Sequence, residues 1–347
     1  MIHPLIARSD KRAGVGIIHS KEGLDLKEAQ SGAAACAPSE LQRQLNDVIE
    51  NADIKIVFQP IISLRDGSVL GYEALSRGPV NTPLQNPDAL FGVAMECGKL
   101  WDLELLCRTK ALESAYRSGA EIRLFLNVNP HVIHDEKFKQ GFTKEYLKKY
   151  HIDPENISFE ITEKKAVNDL CSFKKTIENY KRQNYKIAID DAGAGYSGLN
   201  LITDIHPHYI KLDMNLIRDI DKDNYKKALV NSLYEFCRLS NISLIAEGIE
   251  TEWELNALID IGVHYGQGYY IQRPDEQIKQ IDPGVLEGIR NRNSKKNHLY
   301  YHYLSNIYIG NLCRDNITVM PGDLIENVYN IFLSDDSISG VTIIRDE

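Results

Sequence analysis

Oxygen-bearing side chains of the kind that bind hard cations recur at or near the ends of short apolar, strand-like runs across the middle of this chain. They are Glu73 in GYEALSR, Asn127 in LFLNVNP, Glu160 in ISFEITE, Asp190 and Asp191 in KIAIDDAGAGYSG, and Glu247 in LIAEGIE. One acidic residue at a strand terminus is compatible with an ordinary turn. Five such termini ask the fold to gather them at one end of a parallel barrel, where chemistry collects on strand C-termini. All-oxygen donors, with none of the ten histidines among them, select Mg²⁺ or Mn²⁺ over zinc.

The runs themselves point the same way. Between Ile54 and about Asp282, β-rich segments (KIVFQPI, SVLGYEALS, EIRLFLNV, NISFEIT, KIAID, YIKLD, ISLIAE, VHYGQGYYI) alternate with helical ones. Helices are predicted over Trp101 to Ser118, Asp169 to Gln183, Lys226 to Ser240 and Glu252 to Ile261. Such alternation makes parallel βα units, and about eight of them predict an α/β fold, a TIM-type (β/α)8 barrel. Asp66-Gly67, between the first two runs, is a hairpin signal, so one strand is antiparallel. A doubly wound open sheet is the alternative, but its site would gather at one switch point.

The organisation expected is a flexible arm over 1–38, the barrel over 39–284, a linker helix over 285–305 carrying the basic stretch RNRNSKKNH, and a partial unit over 306–347. That last unit reads as a short strand, a helix and a strand, together with the linker an α+β appendage too short to close a core. A net charge of -9 argues against DNA as a partner. No apolar stretch approaches the roughly 18 residues of a membrane span, and no secretory h-region opens the chain. Six cysteines without CxxC pairs read as buried thiols in a reducing, cytoplasmic setting.

Several candidates admit two readings each. Glu73 and Arg77 leave one strand end together, as a surface ion pair or as carboxylate and guanidinium of a site. Asn127 is a structural hydrogen bonder or a ligating carbonyl. Asp190-Asp191 is a helix cap, or a pair serving two metals in displacement at phosphorus. Lys211, between Ile210 and Leu212, is either paired with Asp213 or Glu247 or turned into the barrel mouth. Gln267 lies between Gly266 and Gly268, a plain turn or a close approach to a ligand.

In order, FQPI, EALSR, NVNP, FEITE, DDAGAGYSG, KLD, AEGIE and GQGYYIQRP occur between about Val57 and Pro274. With them the chain resembles the EAL-domain cyclic di-GMP phosphodiesterases. The resemblance implies hydrolysis of cyclic di-GMP to linear pGpG by a metal-activated water, with two ions of Mg²⁺ or Mn²⁺. It implies one metal on Glu73, Asn127, Glu160 and Asp190, a second on Asp190 and Asp191, Glu247 completing the ring and Lys211 orienting the water. Gln59, Leu75, Arg77, Gln267 and Pro274 would meet the substrate, and Glu163 would brace the loop after the double Asp. The family usually carries Phe where this chain has Ala192. A homodimer is also implied, as is an adenine nucleotide at the C-terminal segment, which resembles the first half of a CBS module. The alternative on the same barrel is a cyclic di-GMP receptor that binds without cleaving.

Overall fold

The computed structural model describes residues 39–119, 122–129, 132, 142–162, 170–193, 198–306, 318–319, 324–334 and 342–343. Eight strands close into a barrel in the order β1 to β8. They are β1 (Lys55–Ser63), β2 (Val69–Arg77), β3 (Leu124–Asn127), β4 (Ile157–Thr162), β5 (Lys186–Ala192), β6 (Tyr209–Leu212), β7 (Ser243–Ala246) and β8 (Tyr265–Gly266). A closed ring excludes the doubly wound sheet. β1 runs antiparallel to both β2 and β8, and the other pairs are parallel.

The reversal of β1 follows from its hairpin. Gly67 takes φ +80° and donates to Ser63 O at 2.9 Å, a backbone conformation in which glycine has no Cβ to clash. The backbone N–H of Ser68, with the Ser68 and Ser63 hydroxyls, holds the Asp66 carboxyl down at about 2.

Helices wrap the outside: α1 (Glu40–Glu50), α2 (Pro87–Glu96), α3 (Leu100–Arg117), α4 (Phe142–Tyr150), α5 (Leu170–Arg182) and α6 (Gly198–Ile205), then α7 (Met214–Ile217), α8 (Asn224–Leu239), α9 (Glu252–Ile261) and α10 (Pro283–Asn306). α9 starts on a capping box between Thr251 and Glu254 and stops at Gly262, φ +104°, start and stop signals that explain why its span was legible. RNRNSKKNH lies within α10. The first half of that helix packs on the barrel: Ile289 is fully buried, Arg292 pairs with Asp260, and Lys296 donates to Ile259 O at 2.9 Å. Beyond it, β9 (Thr318–Val319) and β10 (Thr342–Ile343) pair in parallel around α11 (Ile325–Ser334), the strand, helix and strand expected. Among the described residues no helix is long and apolar enough to cross a membrane. Cys107 and Cys237 are buried free thiols and Cys97 is a half-buried one.

One expected strand is much shorter than its pattern. VHYGQGYYI gives only Tyr265–Gly266, because the chain then folds round Ile249. Gln267 O accepts from Ile249 N at 3.1 Å, and Ile249 O from Tyr270 N at 3.0 Å. A Cβ on Gly268 would lie 2.1 Å from Ile249 O, and one on Gly266 2.7 Å from Ile249 Cδ1. These glycines admit the neighbouring loop.

Two histidines close the opposite end. His208 Nδ1 accepts the N–H of Ile187 at the start of β5, and His264 Nδ1 accepts that of Leu244 at the start of β7, both at 3.1 Å. Both acceptors require an unprotonated nitrogen. Burial, with Lys186, Lys181 and Arg123 nearby, lowers His208 to about 4, and burial lowers His264. A lowered folded value gives stability that is present above the unfolded value of about 6.5 and lost as pH falls toward the folded one. The melting temperature should therefore drop between about pH 7 and pH 5. His208→Gln should flatten that slope in a thermal melt series, and an unchanged slope would remove His208 as its origin.

Candidate active site

Inside the barrel, side chains two residues apart along each strand form successive layers. The inner one is apolar: Ile61, Phe125, Ala188, Tyr209 and Ile245 cluster together. Two residues further toward the C-terminal mouth stand Asn127, Asp190, Lys211 and Glu247, joined by Glu73 and Glu160. In antiparallel β1 the order inverts, and Gln59 precedes Ile61.

Lys211 is the centre. Its Nζ lies 2.7 Å from Glu160 Oε1, 2.7 Å from Glu247 Oε1, 3.1 Å from Asp190 Oδ1 and 3.3 Å from Glu73 Oε2. The residue is 1% exposed. Of the two partners first considered, Glu247 is the one present. Asp213 instead accepts from Asn215 N at 2.8 Å and caps α7.

Amides complete the ring. Asn127 Nδ2 donates to Glu73 Oε1 at 3.0 Å and to Glu160 Oε2 at 3.3 Å. Gln267 Nε2 donates to Glu73 Oε2 at 2.7 Å and to Gln59 Oε1 at 2.9 Å, while Gln59 Nε2 donates to Gln272 O at 3.1 Å. The segment ending in Pro274 is thereby drawn over β1, and Phe58 and Asp275 exchange backbone hydrogen bonds at 2.8 and 3.1 Å.

Asp190 and Asp191 reach one mouth because β5 is bulged there. Ile189 pairs with Ile210 and Ala192 with Leu212, so two residues oppose one. Asp191 takes φ +55°, a region that Asp enters more readily than most residues. Oxygens of Asp190, Asp191 and Glu247 then lie within 4.8 Å of one another. Ala192 is buried in the outer core with Ile202, Leu212 and Ile217. Glu163 and residues 194–197 of the glycine-rich loop lie outside the described residues.

The charges do not balance. Lys211 is held well above its usual range: burial lowers it, and Asp190, Glu160, Glu247 and Glu73 together raise it more. Burial first, then neighbouring carboxylates, push Glu160 and Glu247 well up despite Lys211. Asp190 ends below its usual value. Burial raises it, but the Lys211 charge, the adjacent Glu247 carboxyl and the Asp191 backbone outweigh that. Glu160 Oε1, Asp190 Oδ1 and Glu247 Oε1 sit near the ammonium without an aligned hydrogen bond, and Gln267 Oε1 is buried without a partner. One ammonium has three donors for four carboxylates. Orphaned oxygens of a hard donor set fit a divalent cation.

A cavity of about 230 Å³ flanks the cluster on the β2–β3 side, between those strands and α2 and α3. Leu75, Arg77 and Asn127 line it, together with Asn129, Glu104 and Arg108, which the sequence reading missed. The signal for Glu104 and Arg108 is there: two charges one turn apart in the otherwise apolar LELLCR.

Residues 41–274 match the EAL domain, so the chain belongs to the EAL domain family. It is 30% identical over 230 residues to the probable cyclic di-GMP phosphodiesterase PdeB of Escherichia coli, covering 65% of this chain and 43% of that protein. The chain spans less than half the length of the curated relatives first matched. Among solved structures, a standalone EAL protein from Vibrio cholerae in its c-di-GMP-bound form is 34% identical with a TM-score of 0.60, covering 67% of this chain and 96% of that one. BlrP1 of Klebsiella pneumoniae, in a complex with calcium and cyclic di-GMP, is 29% identical with a TM-score of 0.61, covering 66% and 58%.

A carboxylate whose folded value is raised stabilises the fold only at low pH, and this contribution is lost as pH climbs from about 4 toward the folded value. Metal-free protein should therefore lose the stability that Glu160 and Glu247 give as pH climbs above about 4.5 and these groups ionise. Mn²⁺ should raise the melting temperature more at high pH than at low. Glu160→Gln should flatten the metal-free slope, and a slope indifferent to that substitution would locate its origin elsewhere.

Proposed function

We propose that this barrel hydrolyses one phosphodiester of cyclic di-GMP to linear pGpG with two divalent cations, Mg²⁺ or Mn²⁺. The observation that carries the reading is the excess of buried carboxylate over cation at the mouth, beside a cavity that Arg77 lines. An anionic diester is repelled by such a ring until further positive charge enters it. In this reading Glu73, Asn127, Glu160 and Asp190 hold one ion, Asp190 and Asp191 the other, and Glu247 completes the ring. When bound, such ions stabilise charge at phosphorus and lower the pKa of water.

The remaining work falls to the chain. Lys211 keeps carboxylates from β2, β4, β5 and the chain after β7 converged and orients the attacking water. Gln59 and Gln267 fix the orientation of Glu73 from the β1 side. Arg77 offers a guanidinium to a phosphate oxygen, an arrangement suited to paired hydrogen bonds, and Leu75 and Pro274 bound the substrate. Bracing by Glu163, a homodimer, an adenine nucleotide at the C-terminal segment and a reducing, cytoplasmic setting belong to the same proposal. The buried free thiols Cys107 and Cys237 support the last of these.

The chain incubated with cyclic di-GMP and Mn²⁺ or Mg²⁺ should yield pGpG on chromatography, and chelation should stop it. Glu73→Ala and Lys211→Met should each lower turnover by about a hundredfold or more. Tight binding of cyclic di-GMP by the wild type without any pGpG would replace the enzyme by a receptor.

A further inference from the structure

α3 carries charge on its buried side. Glu104 and Arg108 are 3% and 5% exposed, and Arg108 Nη2 donates to Glu104 Oε2 at 3.0 Å. Burying two ions costs several kcal/mol each, and their attraction offsets this only with good geometry and further hydrogen bonds. A pair of apolar residues would hold the helix as well.

The other contacts of the pair tell more. Glu104 Oε1 accepts the backbone N–H of Asn129 at 2.8 Å. Arg108 Nη1 donates to Thr143 Oγ1 on α4 at 3.2 Å, and its guanidinium lies 5.3 Å from the centre of the Phe159 ring on β4. The pair joins four places: α3, α4, β4 and the chain just beyond β3.

That last place matters most. β3 is four residues long and ends at Asn127, whose amide spans Glu73 and Glu160. Beyond it, Val128 N bonds Glu160 O at 2.9 Å and Asn129 N bonds Glu104. The end of so short a strand is held by the next two N–H groups, one on β4 and one on α3.

We infer that Glu104, braced by Arg108, is a positioning residue for Asn127. It fixes the chain leaving β3 so that the Asn127 amide stays over Glu73 and Glu160, and so sets the divalent-cation affinity of the mouth. The second clause rests on the metal reading above; the first does not.

The test compares two doubly substituted chains, Glu104→Gln with Arg108→Met and Glu104→Leu with Arg108→Met. Both lack the buried ion pair, and only the first keeps a side-chain oxygen for Asn129 N–H. Mn²⁺ affinity is read by electron paramagnetic resonance, hydrogen exchange over residues 124–129 by mass spectrometry, and stability by melting. The glutamine form should bind Mn²⁺ within about threefold of wild type and keep its exchange protection. The leucine form should melt at a similar temperature, bind Mn²⁺ roughly tenfold more weakly and lose protection, as loss of outer-sphere partners does elsewhere. If leucine does not fit, Glu104→Ala makes the same comparison with less bulk. Equal exchange protection in the two forms would overturn the positioning role. Equal Mn²⁺ affinities would overturn its consequence for the mouth. A wild type that binds no Mn²⁺ would sink the metal reading instead, and exchange at Asn129 would still decide whether Glu104 holds the strand end.

Discussion

The buried ammonium of Lys211 is the interaction on which the rest of the mouth depends. Five carboxyl groups from β2, β4, β5 and the chain after β7 converge there, and without a cation they repel at short range in a poorly screened place. Lys211 touches four of them within 3.3 Å. It can compensate only part of their charge, so the ring is converged but still acidic. That condition is suited to further cations: the ligands are gathered in advance, and the reorganisation that would otherwise oppose binding is already done.

The barrel makes this possible through its inner floor. Phe125 meets Tyr209 edge-on at 5.2 Å between ring centres, and with Ile61, Ala188 and Ile245 they fill the space below the charges. With this apolar floor beneath them the local dielectric is lowered, and each charge acts more strongly than it would on an open surface. The inversion of Gln59 and Ile61 along β1 shows how the same layering survives a reversed strand. Direction changes the order of the residues, while period two keeps both on the inner face.

Much of this was legible in the sequence, for a physical reason. Strand period and strand ends are local, so LFLN, ISFEIT and YIKL announced both the barrel and the positions of Asn127, Glu160 and Lys211. Contacts between distant elements were not legible in this way. Nothing in YGQGYY says that Gly266 and Gly268 make room for Ile249, or that Lys211 would pair with Glu247 while Asp213 capped a helix. Glu104 and Arg108 went unnoticed among the other charges of α3, and their partner Asn129 is set by packing across the fold. β8 was overextended for a related reason: its apolar pattern continues, and only the tertiary crossing at Ile249 ends the strand.

The bulge in β5 carries the last step. In a regular strand adjacent side chains face opposite ways, and Asp191 would point away from the mouth if Asp190 pointed into it. The extra residue and the left-handed turn at Asp191 bring both carboxylates within reach of Glu247. Such a backbone costs on the order of 1–3 kcal/mol and persists only where surrounding packing enforces it. Here that packing is the buried Ala192 on one side and Gly193 on the other. Gly193 has φ +96°, and a Cβ there would lie 2.6 Å from Leu216 Cδ1. A fold that needed only one acid at this rim would have no use for the distortion. The distortion has a use if the two adjacent carboxylates act together, as the proposed pair of cations at a phosphodiester would require.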